Sequence, residues 1–178
     1  AIGDGYTQGQ YYLASYADEI WLNPNGWVIL DGYARKQMYV KSAIEKLGIT
    51  QHIFRVGTYK SAVEPYIRDD MSDEAKEANQ LWLNELWTTY KTTVAGQRGF
   101  SVDNFDETIT DLVTKVEQSN GNIAEYALDN GWVDKLMSRA EMNEKLIEYV
   151  GDKTYANTFD HVDFEDYLFV TNLSLIHI

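Results

Sequence analysis

Residues 27–56, WVILDGYARKQMYVKSAIEKLGITQHIFRV, carry the pattern that decides the fold class. The apolar runs at 27–30 and 52–56 have the length and composition of short buried strands. Between them, residues 36–47 repeat apolar side chains at helical spacing, and Gly48 follows where a C-terminal cap belongs. A strand, a helix and a second strand at this spacing predict a parallel crossover unit and therefore an α/β fold.

The flanking sequence adds further elements to this unit. Residues 7–17 predict a helix and residues 19–22 a short strand, which the cluster Asn23-Pro24-Asn25-Gly26 ends as a turn. Side chains suited to capping helix N-termini stand at Ser72, Asn122 and Ser138. The downstream helices are predicted at 72–94, 106–116, 123–128 and 138–150.

The composition indicates a folded domain and excludes several functions. The chain has 178 residues, 44% of them hydrophobic, enough for one sizeable domain or most of one. With 15 Lys+Arg against 28 Asp+Glu its net charge is −13, so we expect no nucleic-acid partner. The absence of Cys excludes disulfides and a cysteine nucleophile. No apolar run approaches the roughly 20 residues of a membrane-spanning helix.

The residues at the two ends of the sequence predict that it is a piece of a longer protein. The chain starts at Ala1 rather than Met, and its apolar tail 173–178 has no turn or capping residue before it. One reading frame of a transposon-derived sequencing adaptor would encode the same residues. We therefore expect 173–178 to be non-native, translated from adaptor sequence by read-through. A natural terminal strand is the alternative. The acidic and aromatic residues 151–172 predict a linker or strand.

Few side chains suggest metal or cofactor chemistry. His52 lies in an apolar segment typical of packed residues, His161 and His177 lie far along the chain, and no two His share metal-ligand spacing. No phosphate-binding or dinucleotide motif is present, so we predict no cofactor and no metal. The carboxylates at 69–70 and 73–74 are best interpreted as a solvated loop and a helix N-terminus.

Lys60 is the candidate catalytic residue. It follows the predicted strand 52–56 and the turn Gly57-Thr58-Tyr59, and ligands gather at strand ends in folds built from crossover units. Its immediate neighbours are uncharged, although Glu64, one helical turn away, would favour the protonated amine. Burial without an anion disfavours the charged form, and a neutral amine can act as a general base toward a hydroxyl. An ordinary surface lysine is the alternative interpretation.

Three segments resemble one family. Residues 54–72 (FRVGTYKSAVEPYIRDDMS), 6–15 (YTQGQYYLAS) and 125–134 (EYALDNGWVD) are similar to the signal peptide peptidase (SppA, protease IV) family in its long bacterial form. The resemblance extends over roughly residues 1–172. It implies a crotonase/ClpP-like α/β fold with parallel crossover units and added helices. Residues 1–150 would then be the first of two similar halves, incomplete at the N-terminus.

The resemblance also implies an activity. The family consists of membrane-attached serine peptidases with a Ser-Lys dyad that degrade cleaved signal peptides. Lys60 matches the family's general base, whereas the serine nucleophile belongs to the second half. In the corresponding segment here, Gln8 takes the position of the serine and Gln10 that of the second glycine. Neither Thr7 nor Ser61 is expected to replace the serine.

The partners implied by the family are remnant signal peptides, the chain's own C-terminal half, identical subunits in a homotetramer, and the membrane through an upstream anchor. The implied location is the bacterial inner membrane, on the periplasmic side. A non-catalytic crotonase-like scaffold in which Lys60 is structural is the main alternative. A relative that handles acyl-CoA is a weaker one, because this acidic chain shows no cradle for phosphates.

Overall fold

The computed structural model describes residues 1–54, 56–57, 59–152 and 158–175, with the backbone alone for 172–175. The chain forms two compact units, one made of residues 1–29 with residues from 107 onward, the other of residues 30–106. Among the described residues, no helix is both long enough and apolar enough to cross a bilayer.

A three-stranded parallel sheet lies at the centre of the first unit. Its strands are β1 (Ile2–Thr7), β2 (Trp21–Ile29) and β3 (Lys135–Leu136), in the order β1-β2-β3. Helix α1 (Gln8–Ala14) connects β1 to β2. The sequence therefore predicted the type of connection correctly, but the crossover lies within residues 2–29 and not within 27–56.

Strand β2 runs through the Asn23-Pro24-Asn25-Gly26 cluster, which the sequence predicts as a turn between two separate strands. Gly3 pairs with Leu22 and Gly5 with Trp27. Between these two pairs β1 advances by two residues, whereas β2 advances by five. A Cβ atom on Gly5 would lie 2.6 Å from the Trp27 indole. The turn residues thus form a bulge that allows backbone and indole to approach closely, and the strand continues beyond it.

The core of the first unit is closed by residues from two distant parts of the sequence. Tyr11 on α1 is fully buried, and its hydroxyl donates to the backbone carbonyl of Trp132 at 2.8 Å. The carboxylate of Asp134 accepts from the backbone N–H of Ile20 at 2.7 Å, beside the short β2–β3 ladder. These contacts explain why the segment 125–134 belongs with the first 29 residues in one unit.

Side-chain caps start three helices of the first unit. The predicted caps Asn122 and Ser138 are confirmed, since each accepts hydrogen bonds from backbone N–H groups of the first turn. The helix predicted at 106–116 starts later because Thr108 and Asp111 form a capping box. The helices are α5 (Ile109–Gln118), α6 (Ile123–Asp129) and α7 (Arg139–Val150).

The second unit is organised around helix α4 (Asp73–Arg98). Ser72 caps it as predicted, with Oγ accepting from the backbone N–H of Ala75 at 3.2 Å. The helix continues four residues past the predicted end and stops at Gly99, whose φ of 73° is left-handed. Aromatic rings pack together along its C-terminal half and the short 3-10 helix Val102–Phe105: Tyr33, Trp87, Tyr90, Phe100 and Phe105.

Two predicted elements of this unit are reduced or absent. The helix predicted at 36–47 is confined to α2 (Lys41–Lys46), and the described residues of 52–56, which exclude Arg55, form no strand. Met38 is 80% exposed and Leu47 74% exposed. A short amphipathic helix is stabilised mainly by burial of its apolar face, so without that burial only six residues are helical.

A helix, α8 (Phe164–Leu175), occupies part of the segment 151–172 that the sequence predicts as a linker or strand. Glu165 and Asp166 lie in its first turn, where the positive end of the helix dipole favours carboxylates. Residues 153–157, and residues 176–178 of the predicted read-through, lie outside the described part of the chain.

Replacing Tyr11 by Phe tests the closure of the first core. The change removes the hydroxyl that donates to the Trp132 carbonyl and leaves that buried site short of one hydrogen bond. We expect a loss of about 1–2 kcal/mol in the free energy of unfolding, measured by urea titration. Tyr12→Phe is the matched control, because its hydroxyl lies 3.4 Å from that of Tyr16 at an exposed position; an equal loss in both variants would contradict the assignment.

The ion pair between β1 and α7 predicts a pH dependence. The guanidinium of Arg139 donates to both carboxylate oxygens of Asp4 at 2.7–3.0 Å and holds the pKa of Asp4 below its ordinary value of 3.8. A lowered pKa stabilises the folded chain above pH 3.8, and this contribution disappears as the pH falls through the folded-state pKa. Asp4→Asn should therefore lower the urea midpoint at pH 6 more than at pH 3, and an equal change at the two pH values would contradict the assignment.

Candidate active site

Lys60 lies in the second unit, in the loop that leads into helix α3 (Glu64–Ile67). Two backbone hydrogen bonds between residues close in sequence shape this loop. The N–H of Lys60 donates to the Gly57 carbonyl at 3.4 Å, and that of Ser61 donates to the Tyr59 carbonyl at 3.1 Å. Gly57 has a φ of 108°, which side chains rarely adopt. The loop thus follows an irregular stretch and not the predicted end of a strand.

Lys60 lines an open hollow of about 430 Å³. Its rim is apolar and exposed to solvent, with Phe54 98% and Val56 83% exposed. Lys60 itself is exposed, and its aliphatic part lies against Gly57, where an added Cβ would be 3.7 Å from the lysine Cγ and Cδ. The hollow therefore presents one amine within a largely apolar rim. Its lining is Phe54, Val56 and residues 59–63.

A buried carboxylate lies four residues beyond the amine. From the sequence, Glu64 is only a negative charge near Lys60, but in the structure its side chain is 2% exposed. Glu64 accepts from the Ser72 hydroxyl at 2.5 Å and from the Ser72 backbone N–H at 3.2 Å. These bonds connect α3 to the N-terminus of α4, where the helix dipole favours a negative charge. The pattern of the sequence around Glu64 gives no sign of this burial.

The segment that corresponds to the nucleophile motif lies in the first unit, where β1 ends and α1 begins. Gln8 and Gln10 lie in the first turn of α1. The Gln10 side-chain oxygen accepts from the backbone N–H of Thr7 at 2.9 Å and from its hydroxyl at 3.0 Å. Thr7 and Gln10 thus close a capping arrangement at the start of α1 and present no activated hydroxyl.

The other singled-out polar residues have structural partners. Asp69 accepts from both the backbone N–H and the hydroxyl of Ser42 near the start of α2, which lowers the pKa of this carboxyl. Asp70 pairs with Arg68 at 2.9 Å. His52 is exposed, and His161 lies with Nδ1 2.8 Å from the Phe159 carbonyl. No group of three or more His, Cys, Asp or Glu among the described residues is arranged to hold a metal ion.

Comparison with known proteins finds relatives that are all named as proteases. Protease 4 of Salmonella typhi is 43% identical to this chain over 167 residues, and Protease 4 of Haemophilus influenzae is 42% identical over 168 residues. Each alignment covers 94% of this chain and 27% of the relative, so the chain spans about a quarter of the length of these proteins. The chloroplastic serine protease SPPA of Arabidopsis thaliana is 25% identical over 141 residues, 77% of this chain and 21% of that protein.

A family model matches most of the chain. It is described as Peptidase family S49 and covers residues 1–150, which include the second unit with the Lys60 loop and residues 1–29 and 107–150 of the first. The resemblance stated from the three sequence segments is thereby confirmed, and so is the α/β class with a parallel sheet and added helices. The chain belongs to peptidase family S49, whose fold is of the crotonase/ClpP type.

Proposed function

We propose that this chain is the part of a membrane-attached serine peptidase that supplies the general base of a Ser-Lys dyad, with Lys60 as that base. The observation that carries the proposal is the segment 54–72, in which the family's lysine motif is matched at Lys60. The hollow around the amine supports it, because a peptide bond needs room to reach the lysine. The nucleophilic serine is assigned to a C-terminal half outside these 178 residues.

The chemistry proceeds through an acyl intermediate. Neutral Lys60 takes the proton of the serine hydroxyl while the serine oxygen attacks the peptide carbonyl. Backbone N–H groups, expected from the C-terminal half, hold the oxyanion. The lysine then returns its proton to the leaving amine as the C–N bond breaks, and water hydrolyses the ester by the same route.

The apolar rim suggests how the lysine becomes neutral. An ammonium is favoured in water, and displacing that water with apolar surface favours the neutral amine. Phe54 and Val56 are large apolar side chains left almost fully exposed beside Lys60. We propose that the protein's own C-terminal half covers them and thereby desolvates the amine.

The proposed substrates are remnant signal peptides, since an extended apolar peptide can add to a strand edge and present its carbonyl to the dyad. The proposed setting is the periplasmic side of the bacterial inner membrane, with an upstream anchor and a homotetramer. The alternative is a non-catalytic scaffold, which Gln8 and Gln10 would fit equally well, because they stand where the motif would have Ser and Gly.

Lys60→Ala in the full-length protein tests the proposal. Loss of a general base lowers kcat for peptide hydrolysis by about 10²- to 10⁴-fold, while assembly and the thermal midpoint stay as in the wild type. Lys60→Arg should be equally inactive, because a guanidinium keeps its charge but gives up no proton near neutral pH. Lys36→Ala, at another exposed lysine, is the control. Wild-type turnover by Lys60→Ala would favour the scaffold.

The 178-residue chain alone should show no peptidase activity. Its only elements of the dyad are Lys60 and its surroundings, and Thr7 is hydrogen-bonded to Gln10. Incubation with a fluorophosphonate probe, followed by mass spectrometry, should give no labelled residue. Labelling of Thr7 or Ser61 with accompanying peptide cleavage would contradict this prediction.

A further inference from the structure

Helix α4 holds the chain on both sides of Lys60. On one side, the Tyr59 hydroxyl donates to Glu77 at 3.2 Å, in the second turn of α4. On the other side, Glu64 accepts two hydrogen bonds from Ser72, the residue that caps α4. Lys60 therefore lies in a short loop whose two ends are attached to the same helix end.

The two attachments differ in strength. Tyr59 is 60% exposed, and water competes for its bond to Glu77. Glu64 and Ser72 are 2% and 8% exposed, and a hydrogen bond to a buried carboxylate is both stronger and more costly to lose. The buried pair is therefore the contact that fixes the loop.

The connection from this pair to the lysine is short. The backbone N–H of Glu64 donates to the Ser61 carbonyl at 3.0 Å, and Ser61 follows Lys60 directly. On the far side, the Val40 N–H donates to the Pro65 carbonyl at 2.7 Å, which holds α3 from a second direction. A shift of Glu64 would be passed to the Lys60 backbone through one turn of chain.

We infer that Glu64, held by the Ser72 hydroxyl, is a positioning residue for the general-base lysine. This inference rests on the proposed function of Lys60. Glu64 acts by holding the loop so that the amine stays within reach of the serine proton. Misplacement of a reacting group by about 1 Å can reduce a rate 100-fold, so the effect falls on the chemical step and leaves substrate binding intact.

The substitution series at Ser72 separates positioning from helix capping. Ser72→Asp keeps a good N-cap for α4 but removes the hydroxyl donor and places a second carboxylate beside Glu64. Ser72→Thr keeps both the cap and the donor. Glu64→Gln combined with Ser72→Asp reverses the bond, since the amide can donate to the new carboxylate. Ser101→Ala, at the exposed cap of the short 3-10 helix, is the control.

The assay is steady-state hydrolysis of a peptide by the full-length protein, with hydrogen exchange of residues 59–63 measured alongside. We expect Ser72→Asp to lower kcat about 10- to 100-fold with KM changed less than twofold, and to speed exchange in the loop. Ser72→Thr should stay near the wild type, and the double variant should recover most of the lost kcat. If Ser72→Asp is too unstable to assay, Glu64→Met, which removes both acceptor oxygens, should show the same kcat and KM pattern.

The result that overturns the inference is an unchanged kcat in Ser72→Asp and Glu64→Met, whether or not the thermal midpoint falls. A rise in KM at constant kcat overturns it as well, because it assigns the pair to binding. Lys60→Ala is assayed in parallel. If that variant is inactive while the Ser72 and Glu64 variants turn over normally, only the positioning role fails; if it is active, the proposed function fails and the inference with it.

Discussion

The parallel pairing of β1 with β2 is the constraint on which the first unit depends. Parallel neighbours cannot be joined by a tight hairpin, and here residues 8–20 make the connection. That length leaves α1 only seven residues, of which Tyr11 and Ala14 are buried, so these two must anchor the helix. Tyr11 does so by filling the core and bonding to the Trp132 carbonyl, which joins the start of the chain to its later half.

In the second unit the corresponding role belongs to the N-terminus of α4. Two other helix starts show the range of such caps: Ser138 bonds within its own first turn, and Asn122 also donates to the Pro24 carbonyl at 3.3 Å. Ser72 both caps its helix and donates to the buried Glu64. One hydroxyl therefore contributes to the stability of a 26-residue helix and to the placement of the loop that carries the candidate base.

The sequence predicted best the features that depend on residues close together in the chain. Caps such as Ser72 and Ser138 depend on residues within one turn, so their chemistry is legible in the chain. The failures depend on partners distant in sequence: residues 52–56 look like a strand but have no ladder among the described residues, and the turn cluster at 23–26 is held inside β2 by its pairing with β1. Lys60 is a candidate base through its match to a family motif, whereas the burial of Glu64 arises from packing that no local pattern encodes.

The bulge in β2 limits the sequence changes that this part of the strand can accept. Gly5 faces the Trp27 ring, and a Cβ on Gly26 would lie 2.5 Å from the Asp4 carbonyl oxygen, so the irregularity fits against β1 in one alignment only. Gaining or losing one residue there would turn Trp27 to the opposite surface of the sheet. Apart from Gly5 and Gly26, where a side chain would clash, this stretch therefore tolerates exchange of side chains better than a change in length, and it acts as a fixed spacer that keeps the two strands in register.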